Sequence, residues 1–163
     1  MPKPPEERIA EELVRRLGQV VVSEDQQIRL AKVYRVNRDA TDWTPDNNTI
    51  VVKQGLASRI PESDYPGNPP AIAYELSFML IGFIRQSDRE TKVDDSEINT
   101  IVALMKRAVT PDSDWHNFDG VSFDAVFGEV QPFVADGGGN TGAMVELFVR
   151  YRVSEYDPFL VRA

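Results

Sequence analysis

The stretch AIAYELSFMLIGFIRQ, residues 71–86, decides the fold. At a period of two, Ile72, Tyr74, Leu76, Phe78, Leu80 and Ile84 share one face. Ala73, Glu75, Ser77, Met79, Ile81, Phe83 and Arg85 share the other. Its second half is apolar on both sides, which suits a strand in the middle of a sheet. A buried helix is the competing reading of such a run. The alternation and the aromatic and β-branched content favour the strand. The run is interrupted by Glu75 and is too short to cross a bilayer as a helix.

A central strand needs neighbours and a covering layer. Upstream, RIPESDYPGNPP (59–70) holds four prolines and a glycine, so it reads as a loop. TIVVK (49–53) reads as a short β-branched strand. NRDATDWTPDNN (37–48) is rich in turn formers. QIRLAKVYRV (27–36) alternates, with Ile28, Leu30, Tyr34 and Val36 on one face, and reads as a strand with one wet side. PEERIAEELVRRL (5–17) reads as a helix, with Ile9, Leu13 and Leu17, joined by Ala10 and Val14, along one stripe. Pro5 suits its first turn, early glutamates and late Arg15 and Arg16 match the helix dipole, and Gly18 is the expected stop.

Downstream, DDSEINTIVALMKRAV (94–109) reads as a second helix. Asp94 and Glu97 have capping-box spacing, and Ile98, Ile101, Val102, Met105 and Val109 make the buried stripe. VSFDAVFGEVQPFV (121–134) and AMVELFVRYRVS (143–154) read as strands. The second turns Ala143, Val145, Leu147, Val149, Tyr151 and Val153 inward, and Met144, Glu146, Phe148, Arg150 and Arg152 outward. The order α-β-β-β-α-β-β predicts an α+β fold: an antiparallel-rich mixed sheet backed by two helices. One domain is expected over 1–163, with mobile loops at 37–48, 59–70 and 136–142.

The bulk numbers agree with one globular domain. The chain has 163 residues, 42% hydrophobic and 27% charged. That length buries roughly 70% of the unfolded surface. The formal charge of −8 gives a field that repels phosphate, and no Lys/Arg cluster offsets it. With no cysteine, disulfides, thiolate metal sites and cysteine nucleophiles are excluded. MPKPPEERIAEE has no apolar signal core, which argues against secretion by that route.

DGGGNTG (136–142) is the first candidate for chemistry. A phosphate loop needs a lysine and a Ser/Thr after its last glycine and must open a helix. Here a period-two strand follows, so the segment reads as a long hairpin connection that a partner orders. DSDWHNFDG (112–120) gathers Asp112, Asp114, His116, Asn117 and Asp119. Oxygen-rich loops can hold calcium, but the spacing is not that of an EF-hand. The plainer reading is a solvated loop with Trp115 and Phe118 tucked onto the core. His116, the only histidine, would have to serve any serine hydrolase beside Ser113 or Ser122, and no G-x-S-x-G turn exists. The pairs Glu6/Glu7 and Asp94/Asp95 sit at helix starts, where capping explains them. No catalytic residue, cofactor or metal ligand is expected.

What remains asks for a protein partner. Met144, Phe148, Arg150 and Arg152 line one outward face of the last strand, and Gly137, Gly138, Gly139 and Asn140 make the loop before it. Aromatics and arginine are enriched at interfaces. The arginines are expected to pair with acidic side chains of a neighbouring subunit.

The element order, the GEVQPF strand and the ending LFVRYRVSEYDPF resemble the tail terminator (tail completion) proteins of long-tailed bacteriophages and related neck and minor tail proteins. The resemblance implies an N-terminal helix, a β-meander, a long apolar strand, a crossover helix and a C-terminal hairpin. It implies a hexameric ring in the virion that caps the tail tube, stops its growth and meets the head connector, while DNA passes through the lumen unbound. It brings no catalytic residues. The reading from another class is a small acidic intracellular enzyme, or a ligand- or metal-binding domain, using loop 112–120.

Overall fold

The computed structural model describes residues 1–21, 32–36, 49–85, 93–134 and 140–162. Helix α1 spans Pro5–Val21 and α2 spans Asp95–Val109. The strands are β1 (Lys32–Val36), β2 (Thr49–Arg59), β3 (Ala71–Arg85), β4 (Ser122–Val134), β5 (Asn140–Ser154) and β6 (Asp157–Val161). The expected α+β class and element order are met, with one strand added at the end. The sheet order is β1-β2-β3-β5-β4, and β6 also pairs with β5.

The stretch 71–86 is the central strand. β3 pairs antiparallel with β5 without a break, from Ala71↔Ser154 to Arg85↔Asn140. It is flanked on its other side by β2, also antiparallel, with a bulge between Gln54 and Ala57. β1 runs parallel to β2. The expected meander is therefore not formed at this edge. Parallel neighbours need a crossover of about a dozen residues, and segment 37–48 supplies that length.

Both helices lie on one face. Ile9, Ala10, Leu13 and Leu17 of α1 are fully buried, as the stripe predicts. They meet Ile50, Val52, Leu76, Phe78, Leu80 and Ile84 and the inward residues of β5 in one cluster. Each buried Ile, Leu, Val or Phe side chain there contributes roughly 1.5–3 kcal/mol. Ile98, Ile101, Leu104, Met105 and Val109 form the buried face of α2, so Leu104 takes the place foreseen for Val102. A Cβ on Gly82 would stand 2.7 Å from Ile101 Cδ1, which is why α2 can lie so close over β3.

Four boundaries differ from the sequence reading. α1 continues through Gly18, because a helical glycine costs only about 1 kcal/mol and the packed stripe outweighs it. Arg15 and Arg16 are consequently not in its last turn. β2 runs on from Lys53 to Arg59, where its residues become exposed and the alternating signal fades. β5 starts at Asn140, so Asn140, Thr141 and Gly142 belong to a strand rather than to the hairpin connection. β6 was not foreseen, since Asp157, Pro158, Phe159 and Leu160 are all exposed and leave no pattern.

Segment 59–70, expected to be mobile, is tied to the sheet. Arg59 pairs with Asp64 at 2.6 Å, and the Ala73 N–H donates to Asp64 Oδ1 at 2.8 Å. Those two bonds, the backbone one first, hold the Asp64 carboxyl below its ordinary value. Tyr65 bridges to Ala71 through a reciprocal backbone pair. Loop 37–48 and residues 136–139 lie outside the described residues.

The α2 capping box is complete. Asp94 Oδ1 accepts the Glu97 N–H at 2.9 Å, and the Asp94 N–H donates to Glu97 Oε2 at 3.1 Å. Asp94→Ala is expected to cost about 1 kcal/mol. Urea unfolding should show it as a lower midpoint with an unchanged slope. An unchanged midpoint would mean that packing alone fixes the start of α2.

Candidate functional site

Both α-helices lie on one side of the sheet, and among the described residues no α-helix lies on the other side, where Thr49, Val51 and Ala73 are nevertheless buried. Rows of cross-strand neighbours run across it. Val51, Ile81, Met144 and Gln131 make one, and Lys53, Met79 and Glu146 the next. Ser77, Phe148 and Val126 follow, then Glu75, Arg150 and Asp124. Beside the first of these rows the Phe83 and Phe133 rings meet edge to face, with centroids 5.4 Å apart. The middle rows enclose a groove of about 420 Å³ whose floor is Met79, Ile81, Met144 and Phe148. Leu56 stands at its margin, 69% exposed. Lys53 and Glu146 occupy opposite banks. The Glu146 carboxylate accepts the Glu129 N–H at 3.2 Å and thereby ties down the β4 bulge.

Met144, Phe148, Arg150 and Arg152 all lie on this face, as expected. Their roles divide. Met144 and Phe148 line the groove. Arg150 Nε donates to Glu75 Oε2 at 2.8 Å within the same chain. Arg152 Nε donates to the Ser63 carbonyl at 2.7 Å, and its guanidinium lies 4.0 Å from the centre of the Phe123 ring. The expectation that a neighbour supplies their acidic partners is corrected: both find partners inside the subunit. The sequence could not show this, because Glu75 and Ser63 are brought to β5 only by the register of β3 and its preceding turn. Gly137, Gly138 and Gly139 lie outside the described residues, and Asn140 pairs with Arg85 at the start of β5.

A second uncovered surface lies at one end of the sheet. There Tyr65 bridges to Ala71, Ala71 pairs with Ser154, and Ser154 pairs with Asp157. β6 follows the same side of β5 as β4 and runs in the same direction, so the two lie end to end along it. Tyr156, Phe159 and Leu160 are 76%, 44% and 46% exposed. Adjacent residues of a strand point to opposite sides. Phe159 and Leu160 are therefore exposed on opposite faces of β6, while Val161 at its end packs against the core. Glu155 and Asp157 flank this apolar knob.

Loop 112–120 is held by packing. Phe118 is fully buried, and Trp115 stacks on Phe127 with centroids 5.5 Å apart. The Ser122 hydroxyl donates to the His116 backbone carbonyl, so serine and imidazole are not joined as nucleophile and base. Asp112 Oδ1 accepts the Asp114 N–H, and Asn117 Oδ1 accepts the Gly120 N–H. Among the described residues, no three of His, Cys, Asp and Glu stand close enough to hold a metal ion. The loop's anchor went unforeseen: Arg16, 6% exposed, donates from Nη1 to the carbonyls of Val109 (2.9 Å) and Trp115 (2.7 Å).

Also unforeseen is the link between the ends of the chain. Tyr151, stacked on Tyr74, donates its hydroxyl to the Glu6 carboxylate. Burial, then that bond, pushes the phenol far above its ordinary value, so it stays a donor at any working pH. No helix among the described residues is long and apolar enough to cross a membrane. The chain matches no protein-family model and no curated protein sequence.

Proposed function

We propose that this chain is a structural subunit of a ring, of the kind that terminates a phage tail tube and joins it to the head connector. The observation that carries this reading is the open apolar groove of Met79, Ile81, Met144 and Phe148, on the sheet face opposite the two helices. Such a face wastes apolar burial in a monomer and gains it in an assembly. The order of elements supports the same reading, since it follows the resemblance except that β1 runs parallel to β2 where a meander is implied.

The charge fits a conduit for DNA. Six copies at −8 each would carry −48. A negative lumen repels the phosphate backbone and lets it slide without sticking. In this role the protein is not an enzyme and needs no cofactor. Its partners are five further copies, the tail tube protein and the connector, and its place is the virion.

Light scattering tests the reading directly. The expected mass is about six times 18.3 kDa, with annular particles in negative stain. A mass of 18.3 kDa at about 100 μM would overturn it.

A further inference from the structure

We draw no further inference here: the strongest candidate, the open apolar groove floored by Met79, Ile81, Met144 and Phe148 on the sheet face opposite the helices, has Lys53 and Glu146 on opposite banks, and nothing in the structure shows what covers it.

Discussion

Gly142→Ala is expected to lower stability by about 3 kcal/mol or more, the upper range for forcing an extra methyl into a packed site. The reason is a close approach rather than backbone freedom. A Cβ built on Gly142 would stand 1.7 Å from the Gly82 carbonyl oxygen and 3.3 Å from the Phe133 ring. The carbonyl belongs to the backbone of β3 and cannot swing away. Phe83 and Phe133, the cross-strand neighbours of Gly142, close their rings over the space that its missing side chain leaves. Relief requires β3 and β5 to part at their best-paired junction. For a domain of this size that cost lowers the melting temperature by roughly 6–12 °C. Gly18→Ala is the control with the opposite sign. Nothing lies within 4 Å of that Cβ, and the residue is inside α1. There alanine should add about 1 kcal/mol. Equal melting temperatures for Gly142→Ala and wild type would show that the strand junction is slack.

Gly142 also shows what the sequence could and could not tell. In the linear chain it closes DGGGNTG and looks like a turn residue. Only the arrival of Gly82 and the two phenylalanines makes it part of a strand. Where a signal is local, the reading held. The alternation of β5 named six inward residues, and all six are buried. The spacing of Asp94 and Glu97 named a capping box, and both bonds are formed. Where the signal depends on a distant partner, it failed. Arg150 and Arg152 looked unpaired because Glu75 and Ser63 lie far away along the chain. β6 left no trace because a strand that packs only its last residue, Val161, on the core has no reason to alternate. Of the interface residues, Met144 and Phe148 were legible as apolar side chains on the outward face. The groove they share with Met79 and Ile81 was not, since it exists only once β3 and β5 are in register.

Arg16→Met should destabilise the chain by about 3 kcal/mol, the low end for removing one partner of a buried ionic contact. Arg16 is the joint between three segments. Nη1 serves the last carbonyl of α2 and the carbonyl of Trp115, while Nε donates to Glu12 Oε1 at 2.9 Å. Its guanidinium lies 4.3 Å from the centre of the buried Phe118 ring. Methionine fills much of the volume but leaves both carbonyls dry and without a donor, at about 1–3 kcal/mol each before relaxation. Arg16→Lys should recover little, because a point charge cannot reproduce the planar fork. Loss of tryptophan emission shift at lower urea would report Trp115 coming loose with the loop. The acid limb carries an independent signature. The hydrogen bond from Arg15 holds the Glu12 carboxyl below its ordinary 4.5, burial opposes this, and the bond from Arg16 adds to the lowering. A carboxyl lowered in the folded state stabilises fully above about pH 4.5, and that part is lost as pH falls through the folded value. Glu12→Gln should flatten that limb. An acid limb identical to wild type would mean that Glu12 is not titrating in this contact.

The unbroken pairing of β3 with β5 has a consequence for how the protein is made. β3 is the middle of the sheet, yet its longest partner is synthesised roughly seventy residues later, a wait of about 4–14 s at ordinary ribosomal speeds. During that interval a fifteen-residue strand, apolar on both sides over its second half, has only its β2 neighbour to pair with. Helix α2 can form locally in the meantime, but the surface it must pack against is still incomplete. The growing chain thus carries its most adhesive segment with one edge unpaired until β5 leaves the ribosome. Yield on expression should be governed by that delay, and slowing translation between codons 86 and 140 should raise aggregation more than slowing it anywhere before 71.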